Sequence, residues 1–136
     1  MATRPHIKNQ NALVQAFVVP ATKAVTLGKR VKFSGADNAV EDCGANEDGI
    51  GIAMESGVAG DTVSIALEGF AVVEALVGTG GATRGAYAKF LADGFTDQAT
   101  ADGTTVRFLA GKFMQSGVAG DRVGLLLGVT SPHSTS

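Results

Sequence analysis

The sequence predicts an all-β protein: a single compact sandwich or barrel, built from two pseudo-repeated β units. The first observation is a repeated six-residue phrase. Residues 56–61 (Ser-Gly-Val-Ala-Gly-Asp) return unchanged as residues 116–121 of the 136-residue chain. The second is the alternation of inward and outward positions over 62–67, with matching apolar positions over 122–129, which is typical of half-buried strands. Since two copies are too few for a solenoid, the repeats are expected to lie in one pseudo-symmetric domain.

The other elements follow in chain order. The polar residues 1–11 show no periodicity and are predicted to form an extended N-terminal arm. The β domain is predicted to span 12–129, with its internal repeat around 51–69 and 111–129, and residues 130–136 are expected to be a polar tail. Short apolar runs between turn signals predict further strands at 13–19, 30–34, 50–54, 70–76, 105–109 and 112–115.

Two segments and one residue type leave alternatives. Residues 85–92 fit either a short helix or a strand. The Gly-rich segment 78–85 lacks the Lys of a P-loop and the third Gly of a dinucleotide loop, so it is predicted to be a flexible crossover between the halves. Four phenylalanines are expected in the core, with an oligomer interface as the alternative: Phe17, Phe70, Phe108 and Phe113.

The repeated phrase has a structural explanation. Gly60 and Gly120 can take a positive φ, which the third position of a type II turn requires. Asp61 and Asp121 can then accept hydrogen bonds from nearby backbone amides as the next strand begins. These four residues are therefore predicted to be structural turn residues, and ligand binding by the two loops is the alternative.

Charge and composition limit the partners. The formal net charge is −2, so no strong field favours nucleic acid or an anionic membrane, and neither is expected as a partner. Charged residues make up only 18% of the chain and apolar residues 45%, which indicates that part of the surface is covered in an assembly. Residues 1–6 lack the apolar core of a signal peptide, so synthesis in the cytoplasm is expected.

The usual catalytic residues are scarce. Cys43 is the only cysteine, which rules out an intramolecular disulfide and a Cys-based zinc site. Both histidines, His6 and His133, lie in the predicted terminal segments, where a preorganised site is not expected. The sequence therefore predicts no enzyme, no cofactor and no metal centre.

An acidic group over 37–48 is the densest charge feature of the chain. Its order does not match an EF-hand loop, so a solvated acidic loop is the favoured interpretation. A weak cation site and a patch that faces a basic partner are the alternatives. The group consists of Asp37, Glu41, Asp42, Glu47 and Asp48.

Four stretches resemble a known family. They are Ala-Val-Thr-Leu-Gly-Lys-Arg-Val at 24–31, Gly-Ile-Ala at 51–53, the run from Ala59 through Glu68-Gly69-Phe70, and Ala-Gly-Asp-Arg-Val-Gly-Leu-Leu-Leu at 119–127. Over roughly residues 12–129 the chain resembles the capsid decoration, or cement, proteins of tailed bacteriophages, formerly a phage domain of unknown function. One departure is Val72-Val73-Glu74-Ala75, where the family often has a Leu-Pro-Lys-like turn.

The resemblance implies a structural virion protein that binds the outer surface of the mature capsid. Such a protein would stabilise the shell by bridging subunits of the major capsid protein, and would associate with itself as a homodimer or homotrimer. The arm is then expected to contact the capsid, above all through Arg4, His6, Ile7 and Lys8.

Two functions from other classes stay open at this point. A surface-exposed binding module for host glycans would need exposed aromatic side chains, and the chain has one Tyr and no Trp. A small trimeric all-β hydrolase would use an acid to activate water, for which Asp61, Asp121 and Arg84 are available, although no recognisable motif surrounds them.

Overall fold

The computed structural model describes residues 13–45, 47–67, 71–97 and 111–127, together with the backbone of 106–108 and 132–134. These residues form fourteen strands and no helix, which confirms the all-β prediction. No helix in this described part is long and apolar enough to cross a membrane. The strands are β1 (Val14–Val18), β2 (Ala24–Val25), β3 (Arg30–Phe33), β4 (Val40–Asp42), β5 (Gly51–Ala53), β6 (Gly57–Val58), β7 (Thr62–Leu67), β8 (Ala71–Leu76), β9 (Tyr87–Leu91), β10 (Gly94–Asp97), β11 (Val106–Phe108), β12 (Gly111–Phe113), β13 (Arg122–Leu127) and β14 (Pro132–Ser134).

The larger strands form two five-stranded antiparallel sheets of the same topology. The first has the order β1-β7-β5-β3-β4, and the second, written from its other edge, has the order β8-β13-β12-β9-β10. Each sheet curls until its edge strands approach, with a parallel bridge from Val18 to Ala39 in the first and from Val77 to Phe95 in the second. We call residues 13–67 the first unit and residues 71–127 the second unit.

Alternating burial in β7 and β13 explains how each sheet encloses a core. Val63 and Ile65 of β7 point into one cluster, and Val123 and Leu125 of β13 point into another. The second cluster also holds an edge-to-face pair, Phe90 and Phe95, with ring centroids 4.9 Å apart. Each curled sheet thus has its own apolar centre.

The register shows that the repeat is longer than the sequence phrase suggests. Gly51 lies opposite Leu67 and Gly111 lies opposite Leu127, so the offset of 60 residues continues through both strand pairs. Away from the repeated turns, residues paired side by side across neighbouring strands also correspond. In the first sheet they are Val14–Ala66–Ile52–Arg30. At the equivalent positions of the second sheet they are Val72–Leu126–Lys112–Tyr87. The duplication therefore covers all five strands of each sheet.

The two units pack against each other asymmetrically. Cys43, Ile52 and Ala66 belong to the first unit, yet they are buried in the same cluster as the core of the second unit. At the same junction, Leu76 of β8 donates its amide hydrogen to the carbonyl oxygen of Gly28 at 2.9 Å. The outer face of the first sheet therefore meets β8, the edge strand of the second sheet.

Several predicted elements are corrected. The segment 85–92 is mostly strand β9, and the helical alternative is wrong because its side chains alternate between core and surface. The segment 78–85 is not a crossover: it is an ordered loop inside the second unit, between β8 and β9. Strand β10 (Gly94–Asp97) was not predicted from the sequence.

The terminal segments are described only in part. The predicted arm, 1–11, lies outside the described residues. Within the predicted tail, the backbone of β14 pairs with β11, with Arg107 opposite His133.

Candidate functional site

The two repeated turns have nearly identical geometry. Gly60 and Gly120 adopt φ values of 92° and 94°. The Oδ2 of Asp61 accepts a hydrogen bond from the amide of Val58 at 2.9 Å, and Asp121 accepts one from the amide of Val118 at 3.0 Å. Both carboxylates are therefore used by their own turns, as side-chain acceptors for local amides.

The first residue of the phrase has a role that the sequence did not reveal. The Oγ of Ser56 accepts a hydrogen bond from the amide of Leu27 at 2.9 Å, and Ser116 accepts one from Arg84 at 3.0 Å. Each serine thereby ties its turn to the loop that precedes β3 or β9. The phrase therefore holds the same long-range contact in each unit.

The acidic group is largely balanced by the first unit's own cations and donors. The Nζ of Lys32 lies 2.6 Å from Glu47 Oε2, and this hydrogen bond, with a second from the Gly44 amide, holds the pKa of Glu47 below its usual value. The same pair raises the pKa of Lys32. The buried Arg30 guanidinium lies 3.7 Å from Asp48.

Two further acids of the group, Glu41 and Asp42, are also engaged. Lys23 pairs with Glu41 at 3.7 Å, and Asp42 accepts two hydrogen bonds from the amide and hydroxyl of Thr26, at 3.0 and 2.8 Å. Among the described residues, no group of three or more His, Cys, Asp or Glu is arranged to hold a metal ion. Part of the predicted acidic loop is strand β4, and Asp37 and Asp48 are exposed whereas the other three acids are half-buried.

The Gly-rich loop is filled by a carboxylate of the chain itself. The amide and hydroxyl of Thr79 both donate to Asp93 Oδ2, at 3.0 and 2.6 Å, and these bonds hold the pKa of Asp93 below its usual value. The amide of Thr83 donates to Asp97 at 2.8 Å. Amides that a phosphate loop would direct at a ligand thus bind side chains of the same unit.

The other sequence-predicted candidates are not brought together into a site. Cys43 is buried, with its thiol 3.6 Å from the carbonyl oxygen of Asp48. Phe17 and Phe113 lie in the two cores, whereas the side chains of Phe70 and Phe108 fall outside the described residues. The capsid-contact candidates Arg4, His6, Ile7 and Lys8 also lie outside them.

Two exposed apolar surfaces are the features that sequence reasoning missed. The β1 surface consists of Leu13, Val14 and Val18, which are 69%, 44% and 43% exposed. The outer row consists of Tyr87, Lys112 and Leu126, side by side on β9, β12 and β13. The low charged fraction of the chain was the only sequence signal for such surfaces, and it did not locate them.

The outer row combines two partly exposed apolar side chains with one charge. Tyr87 is 49% exposed and Leu126 is 41% exposed. The ammonium group of Lys112 lies 4.8 Å from the centroid of the Tyr87 ring, in a cation–π arrangement. Adjacent exposed apolar side chains of this kind are typical of a contact surface for another protein.

A small cavity lies where the two units meet. Its volume is about 190 Å³. The first unit contributes Leu27, Ile52 and Met54, among others, and the second contributes Val73, Glu74 and Arg122. Ligand pockets usually measure at least about 300 Å³, so this cavity is better explained as imperfect packing between units.

Comparison with known proteins gives a structural likeness but no sequence match. No family model matches the sequence, and no curated protein matches it. The fold is similar to the crystal structure of the N base of head fiber gp8.5 in bacteriophage phi29, with a TM-score of 0.66 and 15% sequence identity. The match covers 85% of this chain and 95% of that one, and at this identity it shows a shared fold.

Proposed function

We propose that the chain is a structural protein of a tailed-phage virion that binds the outer surface of the mature capsid. The observation that carries the proposal is the likeness to the phi29 head fiber base, which extends over nearly all of that chain. The resemblance of residues 24–31, 51–53, 59–70 and 119–127 to the phage decoration proteins also supports it. The protein is then synthesised in the host cytoplasm and located on the outer surface of the virion.

Bound protein stabilises the shell by mass action. A ligand that binds only the assembled capsid shifts the equilibrium away from dissociation, and its effect grows with its concentration relative to Kd. A homodimer or homotrimer that bridges several major capsid protein subunits gains avidity on the order of 10²–10⁴-fold when its geometry permits simultaneous contacts. Individual contacts can then be weak.

The arm is proposed as one of these contacts. Arg4 and Lys8 supply positive charge, and Ile7 supplies an apolar group. A segment that orders on binding pays an entropic cost but can cover a large surface. Deletion of residues 1–11 is therefore expected to weaken capsid occupancy while the β domain still folds.

A non-enzymatic role is part of the proposal. The acids that a hydrolase would need at the repeat, Asp61 and Asp121, each accept a hydrogen bond from an amide of their own turn. Such residues stabilise turns without being aimed at a substrate. The exposed apolar surfaces, by contrast, fit a protein that acts through assembly.

The test is co-sedimentation of the purified protein with bare, expanded heads of tailed phages, followed by cryo-EM of the pelleted particles. We expect ordered density at repeated sites on the outer surface, and lower occupancy for the variant that lacks 1–11. Absence of binding to every expanded head would overturn the proposal. Glycan arrays and nucleotide-turnover assays on the same preparation test the two alternative functions.

A further inference from the structure

We infer that the outer row of one chain binds the β1 surface of a second copy, and that this contact repeats the packing already present between the two units. The inference deepens the homo-oligomer part of the proposed function and rests on it. Its test uses the purified protein alone, so it can fail separately from capsid binding.

Equivalent residues on the outer faces of the two sheets differ in their exposure. In the first sheet, Ile52 and Ala66 are 1% and 0% exposed, because the second unit covers them. Their equivalents by strand register, Lys112 and Leu126, are both exposed. The same face is thus an interface in one unit and open in the other.

The edge strands β8 and β1, which are equivalent in the two sheets, also differ in exposure. β8 contacts the first unit through Leu76, and its described side chains are buried or half-buried. Its equivalent in the first unit, β1, is mostly exposed. Val14 of this strand and Leu13 just before it correspond to the better-covered Val72 and Ala71.

A third difference concerns the loop that makes the backbone contact. Gly28 has a φ of 83° and lies so close to β8 that an added Cβ would be 2.9 Å from the amide nitrogen of Leu76. The equivalent Gly85 has a φ of 86°, and an added Cβ there would meet no atom. The second unit therefore presents the same loop geometry with its edge-strand partner missing.

Together these comparisons identify two complementary surfaces on one chain, the outer row and the β1 surface. An interface of two different surfaces is heterologous, and it forms a ring if the rotation closes. The pairing also covers six of the nine large apolar side chains that the described residues leave exposed, if Met114, next to the outer row, is included. A second copy is the occupant that already has the matching shape, because the chain binds itself in this way between its units.

Two single substitutions and a matched control test the inference. Leu126→Lys places a second cation beside Lys112 in the outer row, and Val14→Lys places a charge in the β1 surface. Val118→Lys is the control, since Val118 is 69% exposed at a turn tip outside both surfaces. All three sites are at least 40% exposed, so the β fold should persist, as far-UV circular dichroism would verify.

We expect the wild type and Val118→Lys to form the same oligomer at micromolar concentration in sedimentation equilibrium. Leu126→Lys and Val14→Lys should each weaken association on the order of 30-fold, as loss of a central contact does. An equimolar mixture of these two variants should form a 1:1 dimer, because one intact outer row can still meet one intact β1 surface.

The outcomes that overturn the inference are distinct from failure to bind capsids. A monomeric wild type, or variants that assemble as well as the control, would show that these surfaces do not bind each other. Loss of assembly with only one of the two variants, or a mixture that stays monomeric, would show that the contact is not heterologous. Head binding by a monomer would leave the proposed function standing and remove this inference.

Discussion

Ile52→Ala tests the most consequential contact of the fold, the burial of the first sheet's outer face against the second unit. Ile52 is 1% exposed and lies in the cluster formed mainly by the second unit. The substitution removes three carbon groups, at about 0.8 kcal/mol each, and leaves a cavity that adds to the cost. Since a cavity of about 190 Å³ already borders this residue, we expect a moderate total, about 3 kcal/mol.

The assay is urea unfolding followed by circular dichroism, at one fixed protomer concentration because association also stabilises the folded state. For a chain of this size the loss corresponds to a decrease in Tm on the order of 10 °C. Val118→Ala is the control and should change stability by less than about 0.5 kcal/mol, as an exposed site does. A loss below about 1 kcal/mol for Ile52→Ala would refute the reasoning, because Ile52 could not then be packed between the units.

Three other predictions follow from the described contacts. Asp61→Ala should cost about 1 kcal/mol by removing the acceptor of a turn amide, and Asp61→Asn should recover most of it in the same unfolding assay. Gly28→Ala and Gly85→Ala both place a Cβ at positive φ, which costs about 1 kcal/mol in strain. Only the Cβ at position 28 also collides with the second unit, so Gly28→Ala should lower the free energy of unfolding more. Equal decreases would contradict the described junction. Because the folded-state pKa of Glu47 is lowered, its pairing with Lys32 stabilises above the ordinary glutamate range and is lost as the pH falls through the lowered pKa. The decrease in Tm on acidification should therefore be smaller in Glu47→Gln, and an unchanged acid profile would contradict this pairing.

Much of the fold could be predicted from the sequence because the informative signals are local. The alternation in 62–67 is carried by adjacent residues, and the resulting strand has those bounds. The turn phrase also predicts two equivalent units, since Gly and Asp meet a backbone requirement that does not depend on distant residues. These features require no knowledge of what the strands pack against.

The candidate surfaces could not be predicted because they depend on which face the other unit covers. Ala66 and Leu126 occupy the same register position, yet one is buried and the other exposed, and neither residue type signals this. Similarly, the exposed Phe33 corresponds to the buried Phe90. Burial at these sites is set by tertiary packing and not by strand periodicity.

The longer repeat was hidden by changes in loop length. The offset is 60 residues at the turns but 57 between Arg30 and Tyr87, so a search at one fixed spacing loses the match. The short strands β4 and β10 follow turn signals closely and lack a long alternating run. Only the pairing of strands across each sheet makes the equivalence visible.

The shared register of the two sheets has a consequence for folding fidelity. During folding, β8 could mispair with β7 instead of β13, because both strands follow the same turn and offer the same hydrogen-bonding register. What separates the two partners is side-chain volume: the position opposite Val72 is Leu126 in the native pair and would be Ala66 in the wrong one. Divergence between the duplicated strands thus distinguishes native pairing from a mispaired state that a perfectly repeated sequence would leave equal in energy.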